Sequence, residues 1–177
     1  AVGTLLFGPI SDSMGRKPTI FAGLVFYLAG CLLCFFATSF PMLIIGRLVQ
    51  GFGAASPRVV ALAMVRDGAK GAEMARVMSY VMSVFMLVPI LAPSIGQLVL
   101  NVSSWRSIFL GFIVLASIVA TWLALRQGET LPPERRLPFS ARSLWSSGRE
   151  VLRHPISLGY TLAVGFIFSA FNVYLAT

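Results

Sequence analysis

Charged side chains are scarce in this 177-residue sequence. Asp, Glu, Lys and Arg make up 11% of the residues, whereas soluble domains carry about 25%. Hydrophobic residues make up 57% of the chain, and its mean hydropathy is +0.86. A chain of this size cannot hide so much apolar surface from water by folding alone. The composition therefore excludes an ordinary soluble domain and predicts a membrane protein.

Histidine and cysteine are also scarce, which limits the chemistry that the chain can perform. His154 is the one histidine, and Cys31 and Cys34 are the two cysteines. The sequence contains no Ser/His/Asp set, no metal-ligand spacing and no phosphate-binding glycine loop. The C-x-x-C pair lies among Leu and Phe within an apolar run, which favours two small side chains of a buried helix over a redox or metal site. We therefore predict neither an enzyme nor a cofactor or metal site.

Long apolar segments are abundant. The first of them, residues 18–38, carries no charge in 21 residues, and a bilayer core of ~30 Å needs roughly 20 apolar residues of helix. Residues 1–11 are apolar but make only half a span, and both ends of the chain look cut, so we expect an internal fragment of a larger protein. The full spans are predicted at 18–38, 42–65, 77–100, 107–125 and 156–177.

The basic residues follow the connections between these spans. The loops at 12–17, 66–76 and 126–155 hold eleven of the fourteen Lys and Arg, whereas the intervening loops near 39–41 and 101–106 hold only Arg106. The positive-inside rule places the three basic loops in the cytoplasm. Membrane orientation thus explains the net charge of +8, and the predicted partner is the lipid bilayer and not nucleic acid.

Three regions are predicted along the chain. Residues 1–126 form an N-terminal transmembrane bundle whose first helix is missing, 127–155 form a cytoplasmic central loop, and 156–177 begin a C-terminal bundle. Three prolines in the central loop exclude a helix in its first part, and a short helix is predicted after them, from Ser140 to Arg153. Its pattern suits a helix on the inner membrane surface and, equally, a solvated linker.

The densest polar motif is G-P-I-S-D-S-M-G-R-K-P, between two apolar segments at residues 8–18. Asp12 and Arg16 are spaced i, i+4 and can form an ion pair. Arg66 and Asp67 end a span on the same predicted side, so the four charges either form a cluster that holds helix ends together or lie in a solvated loop. The candidate gating loop consists of Gly8, Asp12, Gly15, Arg16 and Lys17.

Arg47 and Arg58 are the two charges within the spans, where charges are costly and usually functional. They are eleven residues apart, which is three turns plus about 20° of helix, so both lie on one face, and Gln50 joins them. Arg58 could also extend its side chain to the cytoplasmic surface. No acid in the spans can pair with Arg47, so we expect its partner to be water, a backbone carbonyl or an acid outside this chain. Small residues of the same span allow close helix packing: Gly46, Gly51, Gly53, Ala54, Ala55 and Ser56.

The span at 77–100 contains Pro89, Pro93 and Gly96. Each proline removes a backbone hydrogen bond and bends the helix. Two interpretations remain open, a generic kinked helix and a helix that packs against a moving half of the protein.

These motifs resemble the major facilitator superfamily. The 8–18 motif resembles that family's loop between helices 2 and 3, R-L-V-Q-G-F-G-A-A at 47–55 resembles its helix-4 motif, and L-A-P-S-I-G at 91–96, after Pro89, resembles the helix-5 motif of antiporters. The linker E-T-L-P-P-E-R-R-L-P-F at 129–139 is similar to that of bicyclomycin-resistance efflux proteins. The resemblance covers the whole chain, from helix 2 to helix 7.

The resemblance implies an all-α membrane protein with a partial major facilitator fold, a multi-pass transmembrane helix bundle of the cell inner membrane. It implies proton-coupled efflux of small amphipathic drugs by alternating access, driven by the proton gradient without a cofactor. Separately from the resemblance, we expect a monomer. Asp12 and Arg16 would gate the cytoplasmic side, Arg47 would assist proton coupling, and the coupling acid would lie in helix 1, before Ala1. The alternatives are a transporter of a specific metabolite and a non-transporting membrane scaffold.

Overall fold

The computed structural model describes residues 2–137, 149 and 155–176, and in this part of the chain it shows helices and no strand. It divides the chain into two compact units, residues 1–138 and 139–177. The domain boundaries predicted from the sequence stay a prediction, and the predicted helix Ser140–Arg153 lies almost wholly outside the described residues. The first unit contains α1 (Val2–Met14), α2 (Arg16–Phe35), α3 (Phe40–Gly68), α4 (Gly71–Val102), α5 (Arg106–Arg126) and a short 3-10 helix (Pro133–Arg135), and the second contains α6 (Pro155–Ala176).

Four helices in the described part of the chain are long and apolar enough to cross a membrane: α2, α3, α4 and α5. They coincide with the first four predicted spans to within a few residues: α3, α4 and α5 extend beyond theirs at both ends, whereas α2 begins before residue 18 and ends before residue 38. The fifth predicted span is also helical, as α6, and its described apolar stretch is Pro155–Ile167. The all-helical bundle predicted from the sequence is confirmed.

The turn between α1 and α2 is shorter than predicted. Only Gly15 separates the two helices, so Gly8, Pro9 and Asp12 belong to α1 and Arg16 begins α2. Gly15 has φ +107°, a backbone conformation that favours glycine. The expected loop at 12–17 was wrong in its length, because one glycine suffices to reverse the chain.

Helix α2 occupies the centre of the first unit and packs against α3, α5 and α1. Glycines bring α2 and α3 together: a Cβ added at Gly23 would overlap Ser56, and one at Gly53 would overlap the backbone of Tyr27. Ser56 Oγ donates a hydrogen bond to Thr19 O across this contact at 2.7 Å. Close packing through small residues is therefore confirmed for α3, although Gly51 faces open space.

Helix α4 is held differently from the others. None of its 32 residues is buried in the described structure, and its main contacts are with α3 and α5. The predicted proline helix thus presents exposed apolar side chains from Tyr80 to Val102, a surface that requires lipid or other protein as its surroundings.

The two ends of the first unit carry different hydrogen bonds. At one end, Lys17 Nζ of α2 donates to Ala124 O of α5 at 3.1 Å. At the other end, Arg106 Nη2 donates to Ala37 O at 2.9 Å. The connections after α1 and α5 thus lie at one end of the bundle, and those after α2 and α4 lie at the other, as the alternation of charge predicted. The side of the membrane on which each end lies stays a prediction.

Candidate functional site

A single buried arginine joins three helices at the basic end of the bundle. The Arg16 guanidinium donates through Nη1 to Asp12 Oδ1 of α1 at 2.5 Å and through Nε to Asp67 Oδ2 of α3 at 2.8 Å. Its Nη1 also donates to Ser11 Oγ at 2.7 Å. Charge-assisted hydrogen bonds are the strong ones among protein hydrogen bonds. Arg16 is only 7% exposed, so these carboxylates compensate a charge that water does not reach freely.

Glu129, in the loop after α5, binds the start of α2, the helix that carries Arg16. Its Oε1 accepts the backbone N–H of Arg16 at 2.9 Å, and its Oε2 accepts that of Lys17 at 3.1 Å. The first N–H groups of a helix have no partner within the helix and favour a negative charge. We call Asp12, Arg16, Asp67 and Glu129 the Arg16 cluster.

Burial alone would raise the pKa of Glu129, but hydrogen bonds from the backbone N–H groups of Leu131, Arg16, Lys17 and Thr130 outweigh it. The net pKa of Glu129 is lower than usual. The carboxylate therefore remains ionised at neutral pH and keeps its acceptor role at the start of α2.

The loop after α5 is attached to α1 as well. Leu137 N donates to Asp12 O at 2.9 Å, and the side chain of Leu131 is buried. The loop thus crosses the basic end of the bundle from α5 to α1.

The structure places the predicted residues of this end as follows. The Asp12–Arg16 pair is present, but it spans the junction of two helices instead of one turn of a single helix. Asp67 joins the pair as predicted, whereas Arg66 is exposed and forms no ion pair within the described residues, so its predicted place in the cluster was wrong. Gly8 lies within α1, where a Cβ would approach only Val59.

Sequence reasoning missed Glu129. A signal was available, because the chain holds only six acidic residues and three of them meet at Arg16. In so acid-poor a chain, an acid directly after a span is a natural candidate partner for the basic motif.

The second polar site lies within the membrane-spanning part of α3. Arg47 Nη1 donates to Gln50 Oε1 at 2.9 Å, and the Arg47 guanidinium carbon lies 5.7 Å from the centroid of the Phe109 ring of α5, within cation–π range. Gln50 is buried, and its Nε2 donates to Cys31 Sγ of α2 at 3.0 Å. The expectation that Arg47 would bind only water, a carbonyl or an outside acid was wrong, because the glutamine one turn along supplies an acceptor.

Arg47 also lines a cavity between α3 and α5. The cavity measures about 330 Å³ and is otherwise apolar and largely aromatic, with the lining residues Leu43, Arg47, Trp105, Ile108, Phe109 and Phe112. Arg58 is exposed, and no hydrogen bond joins it to Arg47 or Gln50 in the described structure. The predicted polar face therefore consists of two connected residues and one separate arginine.

The remaining predicted residues are not part of either site. Pro89 and Pro93 are exposed on α4, Gly96 is half-buried, and a Cβ at Gly96 would meet nothing within 4 Å. Cys31 and Cys34 are free thiols and fully buried, as predicted. Among the described residues, no group of His, Cys, Asp and Glu could hold a metal ion.

The family model described as Major Facilitator Superfamily matches residues 1–177, the whole chain. The chain belongs to the major facilitator superfamily. The resemblance inferred from the motifs is therefore confirmed, and the helices described above form part of a major facilitator fold. Membership of this family points to a transporter and away from an enzyme.

Three relatives illustrate the similarity. The chain is 30% identical over 177 residues to the uncharacterized MFS-type transporter YdgK of Bacillus subtilis, covering 99% of this chain and 44% of the relative. It is 29% identical over 163 residues to the multidrug transporter MdfA of Yersinia pestis, covering 91% of this chain and 39% of the relative. It is 32% identical over 168 residues to a bicyclomycin resistance protein homolog of Haemophilus influenzae, covering 95% of this chain and 42% of the relative. The chain thus spans about two fifths of the length of these relatives.

Proposed function

We propose that this chain is part of a proton-coupled transporter that exports small, amphipathic, drug-like molecules across the cell inner membrane by alternating access. The proton gradient supplies the energy, no cofactor takes part, and the transporter works as a monomer. The observation that carries the proposal is the Arg16 cluster, which ties the ends of three helices at one mouth of the bundle.

The cluster suits a gate because its bonds depend on the relative positions of separate helices. Arg16 contacts Asp12 on α1 and Asp67 on α3, so a movement of these helix ends changes its partners. Contacts made in one conformation alone shift the equilibrium toward that conformation. Asp12 and Arg16 would thus stabilise the state in which the cytoplasmic mouth is closed.

The substrate class rests on the relatives, two of which carry names that refer to multidrug transport or bicyclomycin resistance. Proton coupling rests on Arg47, whose guanidinium would lower the pKa of a nearby acid and favour release of its proton. Among residues 2–137 no acid forms an ion pair with Arg47, so we expect that acid elsewhere in the complete protein.

Substitution of Arg47 tests the coupling. In everted vesicles that contain the complete protein, Arg47→Ala should lower proton-driven drug transport roughly tenfold or more, because a charge-assisted hydrogen bond and a cation are both lost. Arg47→Lys should retain part of the activity, since lysine keeps the charge without the planar fork. Arg58→Ala is the matched control, because Arg58 is an arginine of the same helix outside the Arg47–Gln50 pair. Unchanged transport rate and pH profile in Arg47→Ala would refute the coupling role.

A transporter of one specific metabolite is the second candidate, since the family is shown but the relatives' substrates belong to those proteins. Growth of cells that express the complete protein on a panel of unrelated drugs separates the two. Resistance to several drugs supports efflux, and resistance to none, with normal protein levels, favours the metabolite. For a scaffold without transport, neither drug transport in vesicles nor drug resistance of the cells should differ between the wild type and any Arg47 variant.

A further inference from the structure

The buried amide of Gln50 has only one orientation that satisfies Arg47. A guanidinium donates hydrogen bonds and accepts none, so the amide oxygen of Gln50 must face Arg47, as it does at 2.9 Å. The amide NH₂ group is then directed toward α2, where the atom it meets must be an acceptor. That atom is Cys31 Sγ, at 3.0 Å.

The surroundings of Gln50 offer its amide one partner besides Cys31, the hydroxyl of Tyr27 on α2, which interacts with both side chains. Gln50 is 5% exposed, and Cys31 is fully buried. A Cβ added at Gly30, next to Cys31, would overlap the backbone nitrogen of Gln50, so the backbones of α2 and α3 are in direct contact here. Because water is excluded, an amide NH₂ without an acceptor would carry its full desolvation cost.

We propose that Cys31 and Gln50 are positioning residues for Arg47. The Cys31 thiol accepts the Gln50 amide, this bond fixes the amide oxygen toward α5, and the oxygen holds the Arg47 guanidinium between Gln50 and the Phe109 ring. Loss of the acceptor at position 31 leaves only the Tyr27 hydroxyl to hold the Gln50 amide, and an amide that rotates presents its NH₂ group to a guanidinium that also only donates. The functional part of this inference rests on the role proposed above for Arg47.

The chain provides a matched control for this proposal. Cys34 lies one turn further along α2 and is as fully buried as Cys31, but its Sγ lies near Leu43 O, at 3.7 Å, and not near Gln50. Alanine at either position removes the same atoms from the same helix. Of these two substitutions, only the one at position 31 removes an acceptor of the Gln50 amide.

The first test follows transport in vesicles made with the complete protein. Cys31→Ala should shift the pH profile of transport in the same direction as Gln50→Leu, and Cys31→Ser should restore the profile, because a hydroxyl also accepts a hydrogen bond. Cys34→Ala should keep the wild-type profile. A wild-type profile in Cys31→Ala, or an equal shift in Cys34→Ala, would overturn the positioning role.

The second test needs no transport. Thermal unfolding of the purified complete protein should show that the effects of Cys31→Ala and Arg47→Ala on Tm are not additive, with a coupling of ~2 °C. In the Gln50→Leu background the two effects should become additive, since the residue that connects them is gone. Additive effects with Gln50 present would overturn the hydrogen-bonded chain from Cys31 to Arg47.

The two tests separate the two proposals. If Arg47→Ala leaves the pH profile unchanged while the coupling in Tm is present, the coupling role of Arg47 is wrong and the positioning of its side chain by Cys31 and Gln50 holds. If Arg47→Ala abolishes transport while the coupling in Tm is absent, the reverse is true.

Discussion

At the scale of single residues, the Arg16 cluster depends on carboxylates that differ in their surroundings. The Asp12 side chain is 44% exposed and that of Asp67 is 23% exposed. Water screens ion pairs at exposed positions and reduces their contribution to stability. We therefore expect the cluster to matter more for the balance between conformations than for overall stability.

Neutralising Asp12 should test this expectation. Asp12→Asn in the complete protein should reduce drug transport roughly three- to tenfold at normal protein levels, because Arg16 loses one of its two carboxylates while the side-chain shape is kept. Drug resistance of the cells, divided by the membrane level of the protein, measures the effect. Glu73→Gln, which neutralises an exposed acid in the first turn of α4, is the control. Equal resistance in Asp12→Asn and wild type would contradict a gating role.

Glu129 should confer a pH-dependent stability. Its pKa is lower in the folded protein than usual, so its contribution is fully present above the unfolded pKa and is lost as pH falls through the folded pKa. Glu129→Gln should lower Tm at pH 7 by roughly 1–2 °C, a modest effect because the carboxylate is partly solvated. The difference from wild type should shrink as the pH falls into the acidic range. A Tm difference that grows on acidification would reverse the assigned sign, and Glu134→Gln serves as the exposed control.

At the scale of helices, the contact between α2 and α3 has no room for additional atoms. Gly53→Ala should destabilise the protein by about 1–3 kcal/mol, because the new methyl group would overlap the Tyr27 backbone. Gly51→Ala, two residues earlier on the same helix, should be neutral or slightly stabilising, since Gly51 has open space around it and alanine favours helix. Thermal unfolding of both variants in detergent measures the difference, and equal Tm values would contradict the close approach.

The helices themselves were predictable from the sequence because each needs only a local run of apolar residues. The spans, the small-residue contact on α3 and the Asp12–Arg16–Asp67 association all follow from composition and spacing. The length of the first turn did not follow, because the spacing of polar residues does not reveal that Gly15 alone reverses the chain. Partners that are distant in sequence were also missed: Glu129 for Arg16, Gly23 and Gly30 on α2, and Cys31 for Gln50. These contacts depend on which helix faces which, and the pairing of helices cannot be read from the spacing of residues in one sequence.

At the scale of the whole molecule, the length of α4 allows the membrane topology to be tested. Its 32 residues span ~48 Å at 1.5 Å per residue, more than the ~30 Å of a bilayer core, so its two ends should emerge on opposite sides. A membrane-impermeant maleimide should label Ser103→Cys in intact cells and Lys70→Cys only after permeabilisation, because the basic loops are expected inside. Labelling of both positions in intact cells would contradict the predicted topology.

The contact between Glu129 and the start of α2 also sets an order of events during synthesis. The backbone N–H of Arg16 and its carboxylate partner are 113 residues apart, and ribosomes add about 5–20 residues per second. The first two helices thus wait roughly 5–25 s for this partner after they have left the ribosome. During that interval Arg16 can already bind Asp12 and then Asp67, while the start of α2 stays open to water. The contact of the loop after α5 with the start of α2 therefore forms after the contacts of Arg16 with Asp12 and Asp67, and a chain whose synthesis stops before residue 129 would have inserted helices without this contact.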